Sequence, residues 1–123
     1  EKTGQRMLAA LGGDPTSAVD AGAAKFAVIN AATSGNNTIV AAVTGKKIRV
    51  LSYVLISAGA VNATFQTGAG GTALTGALPL AAQAGASSGF SPVGHFETVA
   101  AALLNLSLSA AIQVSGHVTY VEV

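Results

Sequence analysis

The sequence predicts an all-β fold, an antiparallel β-sandwich of jelly-roll type with about eight short strands and an extended N-terminal arm. Three observations carry that expectation. Apolar side chains recur at every second position from Lys25 onward, the period of a strand with one buried face. Clusters of Gly, Ser, Asn and Thr separate these runs where hairpins need turns. No stretch has a sustained helical period, and residues 99–103 are at most one helical turn. A chain of 123 residues fits a single domain, placed at residues 25–123, with the arm at residues 1–24.

The arm is set apart by composition. It holds Glu1, Lys2, Arg6, Asp14 and Asp20, five of the eleven charged residues, together with a Gly12-Gly13 break, Pro15 and one apolar cluster from Met7 and Leu8 to Leu11. The alternative is a frayed terminus, since chain ends stay loose unless something ties them down.

The strands follow in order. A short run covers residues 26–30, then Ser34-Gly35-Asn36-Asn37 reads as a turn ahead of a strand at 38–43. After Thr44-Gly45, residues 48–56 are apolar on both faces, with Val50, Val54 and Ile56 on one and Leu51, Tyr53 and Leu55 on the other. Such a strand belongs at the centre of a sheet, covered on both sides. Beyond a turn at residues 57–60, Val61, Ala63 and Phe65 alternate with Asn62, Thr64 and Gln66. Weaker runs lie at 77–80 and 89–92. Leu104, Leu106 and Leu108 alternate with Asn105, Ser107 and Ser109, and Ile112, Val114, Val118 and Tyr120 with Gln113, Ser115, His117 and Thr119. Residues 67–88 are nearly all Gly, Ala, Thr, Leu and Ser, and a structureless loop of that length is unusual in a compact domain. Packing against a neighbouring subunit is expected to order it, with plain flexibility as the alternative.

Charge bears on function. Only 9% of residues are charged, and after Arg49 the ionic residues are Glu97 and Glu122 alone. Soluble monomers rely on mixed surface charge, whereas interface centres are depleted of it, so the neutral half is expected to be covered by partners. A net charge of +1 offers no field for nucleic acid. The longest apolar stretches, at residues 50–61 and 99–114, fall short of the ~20 residues of a spanning helix, so no membrane partner is expected. The absence of cysteine removes thiolate catalysis and sulfur-ligated zinc.

Three motif matches fail on their mechanics, and no enzyme or cofactor is expected. Gly85-Ala86-Ser87-Ser88-Gly89, with Glu97 and His117 behind it, fits the nucleophile elbow, but that device needs a strand before the serine and a helix after it. Gly68-Ala69-Gly70-Gly71-Thr72-Ala73 fits a dinucleotide fingerprint, yet Gly76 and Pro79 deny it the following helix. Pro92-Val93-Gly94 resembles part of a cupin motif, but His95 and His117 are too few for a metal site. The sequons at Asn36, Asn62 and Asn105 are expected by chance in such a composition, and a chain without Trp offers little to stack a sugar on.

Residues 46–66, KKIRVLSYVLISAGAVNATFQ, then GTALTGALPL from Gly71, SPVGHFET from Ser91 and NLSLSAAIQVSGHVTYVEV from Asn105 together resemble the small jelly-roll head decoration (cement) proteins of tailed bacteriophages. The arm is unmatched. The resemblance implies a structural virion protein on the capsid surface, a homo-oligomer and specifically a trimer, bound to the major capsid protein. On that reading the arm, with Lys2, Arg6 and Lys25, reaches the capsid or a neighbouring trimer, and Met7, Leu8, Leu11, Leu74, Leu78, Leu80, Phe90 and Phe96 serve assembly with them. Two other readings stand beside it. A tail or fibre component with a receptor-binding role would need an exposed aromatic or charged tip, and a small jelly-roll metal-binding protein or enzyme would respond to added divalent metals.

Overall fold

Ten strands form among residues 24–123, the part of the chain that the computed structural model describes. Lys2, Arg6, Met7, Leu8 and Leu11 of the expected arm lie outside the described residues. The strands are β1 (Lys25–Ala31), β2 (Gly35–Val40), β3 (Ile48–Ser57), β4 (Val61–Thr67), β5 (Thr72–Ala73), β6 (Leu78–Leu80), β7 (Gly85–Ser88), β8 (Phe96–Glu97), β9 (Leu104–Leu108) and β10 (Val114–Glu122). Sheet I runs β1-β10-β3-β7, with β8 also on β3, and sheet II runs β2-β9-β4-β5, with β6 also on β4. Every pairing is antiparallel. Since β10 takes one flank of β3 and β9 one flank of β4, β7 and β8 share the other flank of β3, and β5 and β6 that of β4. The ten strands therefore fill four positions per sheet.

The two sheets pack face to face as a β-sandwich, and the alternating residues meet between them. Ile29, Val50, Leu55, Val114 and Val118 of sheet I face Val61, Phe65, Leu104, Leu106 and Leu108 of sheet II, all buried. Phe65 is the largest fully buried side chain. Its ring lies 5.3 Å from that of Tyr53 and 5.2 Å from that of Phe96, centroid to centroid, in tilted and edge-on arrangements that the ring quadrupoles favour. Burying a side chain of this size contributes about 3 kcal/mol.

A bulge resets the phase of β3. Thr119 pairs with Ser52 but Tyr120 pairs with Val50, so Leu51 is the extra residue. The expected faces change accordingly. Val50 turns inward with Tyr53 and Leu55, while Leu51 joins Val121 and the half-buried Ala24 in a small separate cluster. Val54 and Ile56 share the outer face, and Ile56 is exposed there, so the described residues cover that end of the strand on one side only. Further along the same pair, Gly116 holds a positive φ of 155°, and a Cβ there would overlap the Val54 carbonyl oxygen. Glycine lets β10 approach β3 at that point.

Four other expectations are corrected. Asn36 and Asn37 belong to β2 rather than to the turn before it, and β2 ends at Val40. The Asn37 side chain makes this possible by donating to the carbonyl oxygens of Thr33, Gly35 and Leu106. Residues 89–92 are loop, because the pairing with β3 is made one step earlier by β7. Residues 67–88 are ordered by the chain itself, as β5, β6 and β7 fill the free flanks of β4 and β3. Residues 99–103 make a turn at Ala101, whose φ is 61°, and no helix forms there.

Candidate functional site

A sheet with one buried face and one polar face should leave few large apolar side chains in water, so those that remain outside are informative. On β1 the inward positions are Ile29 and Ala31, and the outward ones are Phe26 and Val28, which are 77% and 76% exposed. Among the described residues, strand β1 is also an edge. It is seven residues long and pairs residue for residue with β10, from Lys25 opposite Tyr120 to Ala31 opposite Val114, without a register shift.

The other edges carry the devices that blunt strand pairing: short length, bulges and proline. Strand β2 has a register shift between Thr38 and Val40. Strands β5 and β6 are two and three residues long, and β6 contains Pro79. Strands β7 and β8 are four and two residues long, and the loop between them bulges out of the sheet. That loop is held to β3 by the Ser91 N–H on the Leu51 carbonyl and the His95 N–H on the Val50 carbonyl. It leaves Phe90 and Val93 exposed, and Val99 is exposed just after β8. Both outer margins of sheet I are thus apolar.

Between them the middle of the outer face of sheet I is uncharged, and Arg49 and Glu97 lie opposite each other at its β8 end. Its cross-strand rows are Phe26, Thr119 and Ser52, then Val28, His117 and Val54, then Asn30, Ser115 and Ile56. Shallow hollows flank Ile56, one lined by Gln83, Gly85 and Ser87 and the other by Ala58, Gln113 and Ser115.

Five of the six charged residues among those described form ion pairs, Lys46 being the exception. Lys25 Nζ lies 3.0 Å from Glu122 Oε1, so the lysine expected to reach a shell is engaged within its own chain. The Glu97 carboxylate accepts from Arg49 Nε at 2.9 Å and lies 3.4 Å from Lys47 Nζ. Burial acts to raise the pKa of Glu97, but the hydrogen bonds and positive charges of Arg49 and Lys47 outweigh it and hold the carboxyl below its usual range.

The outer face of sheet II is polar in a different way. Asn105 is fully buried although it points away from the core. Its Nδ2 donates to Asn36 Oδ1 at 3.0 Å and to Gln66 Oε1 at 2.8 Å, and its Oδ1 accepts the Asn37 N–H at 2.9 Å. The Gly70 N–H also donates to Asn36 Oδ1, which ties the β4–β5 turn to the same network. Among the described residues no buried side-chain nitrogen or oxygen lacks a hydrogen-bond partner.

The structure divides the residues singled out in the sequence. Phe90 is exposed, whereas Leu80 is buried and Leu74, Leu78 and Phe96 pack against the core, so the apolar surface of these four is used within the chain. The structure adds Phe26, Val28 and Val93. Their sequence signal is the segment KFAVINA, apolar in both phases of the alternation, as in β3.

Of the motif residues, Gly68 and Gly71 close the β4–β5 turn, and Ser87 and Ser88 lie on β7, where the Ser88 hydroxyl accepts the Tyr53 N–H. His117 is exposed on β10, and His95 Nε2 lies 2.6 Å from the Gly89 carbonyl oxygen. Among the described residues no three His, Cys, Asp or Glu side chains gather as metal ligands would, and no helix is long and apolar enough to cross a membrane. No family model, curated protein or solved structure matches the chain.

Proposed function

We propose that the chain is a structural subunit of a virion, a head decoration (cement) protein of a tailed bacteriophage that coats the capsid surface as a symmetric homo-oligomer, a trimer, seated on the major capsid protein. The observation that carries this reading is the apolar surface exposed on both margins of sheet I, while among the described residues no buried side-chain polar atom lacks a partner. Apolar margins without charge suit burial in permanent contacts, which resemble a core cut in two. The resemblance of residues 46–66 and 105–123 to phage decoration proteins supports the same reading.

The strand order supports the jelly-roll part of the proposal. The chain passes from sheet to sheet at β1–β2, β2–β3 and β3–β4, and again at β8–β9 and β9–β10, which places β10 beside β1 and β9 beside β2. Two interleaved Greek keys give this arrangement, and it recurs in viral capsid domains, lectins and cupins. Function must still come from the surface. A cement protein acts by bridging: each subunit adds a modest contact, and several linked contacts hold far more tightly than one.

Immunogold labelling of particles of the phage that encodes this chain tests the assignment. Label distributed over the heads is expected, and label confined to tails or fibres, or absent from particles, overturns it. Deleting residues 1–24 tests the anchor role of the arm. The truncated protein should keep its oligomeric mass and lose head binding, and a truncation that still binds heads removes the arm from the account.

A further inference from the structure

Among the described residues every ionic side chain sits at one end of the sandwich. Lys25 opens β1, and Glu122, which it meets at 3.0 Å, closes β10. Glu122 lies opposite Ile48 at the start of β3, and Arg49 lies opposite Glu97 of β8. Lys46 and Lys47 stand in the loop that leads into β3. The other end is built from the loops at 32–34, 58–60, 81–84 and 109–113, which contain Ala, Gly, Ser, Thr, Gln and Ile alone. Water reaches the loops at both ends alike, so hydration does not account for the division.

The signs at the ionic end do not balance. Four cations stand there against two carboxylates. Glu122 answers Lys25, but the one carboxylate of Glu97 is shared by Arg49 at 2.9 Å and Lys47 at 3.4 Å, and Lys46 forms no ion pair. Lys46 and Lys47 are both exposed, and their backbone is fixed on two sides. The Ala101 N–H donates to the Lys46 carbonyl oxygen at 2.8 Å, and Lys47 exchanges two backbone hydrogen bonds with Val123, at 2.8 and 2.9 Å. Ala101 takes a φ of 61° there, a left-handed conformation that a residue with a Cβ resists and that its surroundings must impose. The two lysines thus rise from a fixed rim.

We propose that this end of the sandwich docks on an acidic protein surface, with Lys46 and Lys47 as the leading contacts. The inference rests on the cement-protein reading and deepens it: the molecule stands end-on on the shell, and the face of the shell that receives it is rich in Asp and Glu. Complementary charge steers and orients an encounter more than it tightens it, and a molecule with all its described charge at one end lands one way up. The arm leaves from the same end, since Ala24 leads directly into Lys25. Nucleic acid fits less well, because the cations are interleaved with carboxylates and their surplus is small.

The test uses the full-length protein and heads of the encoding phage that lack it, with binding read by co-sedimentation. Between about 0.1 and 1 M NaCl the screening length falls from about 10 to about 3 Å, and the parent's Kd is expected to rise about tenfold. Lys46→Glu is expected to raise Kd at the lower salt by about tenfold, whereas Ala111→Glu, the same charge placed on the opposite end, should leave it within about twofold. Circular dichroism checks each fold, and Lys46→Gln replaces Lys46→Glu if that variant does not fold. Salt-independent binding by the parent, or equal binding by parent and Lys46→Glu, overturns the ionic contact while the cement reading stands. An equal loss in Lys46→Glu and Ala111→Glu overturns the choice of end. Binding of a short DNA duplex as tight as that of heads overturns the acidic-protein partner. A parent that binds heads at no salt concentration overturns the cement reading, and this inference with it.

Discussion

The outer faces of the two sheets are both poor in charge, the strands of sheet I holding the Arg49–Glu97 pair there and those of sheet II no ionic residue, yet what fills the rest of each face is opposite in kind. On sheet II the carboxamides of Asn36, Gln66 and Asn105 bond to one another and to the backbone of Asn37, so a face without ions is satisfied by its own chain. On sheet I the margins keep Phe26, Val28, Phe90 and Val93 in solvent, and nothing among the described residues covers them. A scarcity of charge is therefore not by itself a sign of an interface. It marks one where the uncharged groups are apolar and open, and it does not where they are polar and mutually bonded.

The largest effect should come where the two sheets share one core. Phe65→Ala removes the ring between Tyr53 and Phe96 and is expected to cost about 3–5 kcal/mol, read as a lower urea midpoint. Both sheets should unfold in one transition, and two separated transitions would break the comparison by making the sheets independent units.

A smaller loss is expected from Asn105→Leu, about 1–3 kcal/mol, because the Asn37 N–H and the Gln66 side-chain carbonyl lose their partner and Asn36 Oδ1 keeps only the Gly70 N–H. The oligomeric mass should not move. An unchanged melting temperature would show that sheet II does not depend on this network.

Smaller again is the contribution of Glu97, which is partly exposed and worth no more than about 1 kcal/mol. Its folded pKa is lowered, so in acid the unfolded chain binds the proton more readily than the folded one. The contribution is complete above the ordinary carboxylate range and is lost as pH falls through the lower folded value. Denaturation midpoints of the parent and of Glu97→Gln should converge over that window, and a constant gap between them would contradict the assignment. The smallest change in monomer stability is expected from Phe26→Lys, within about 1 kcal/mol, since the side chain is 77% exposed.

Much of the sandwich was legible because burial of one face imposes a period of two, as in β4, β9 and β10. Strands β5 to β8 were not legible in the same way. They are two to four residues of mostly small side chains, and they exist because the flanks of β3 and β4 offer them hydrogen bonds. The phase of β3 was read correctly from Tyr53 onward and wrongly before it, because a bulge at Leu51 leaves no trace in composition. Phe26 and Val28 were hidden for another reason. A segment apolar in both phases fits a central strand as well as an open edge, and only the pairing of β1 with β10 alone separates the two. Asn105 looked like an ordinary outward residue, since its burial depends on Asn36 and Gln66, which are remote in sequence.

Light scattering on the purified full-length protein, taken over a wide span of concentrations, goes most directly to the proposal that the chain assembles with copies of itself. The account requires a mass that is a whole multiple of 11.9 kDa, three copies in the favoured arrangement. A mass of 11.9 kDa that persists to the highest concentration reached, with the protein fully soluble, would contradict it.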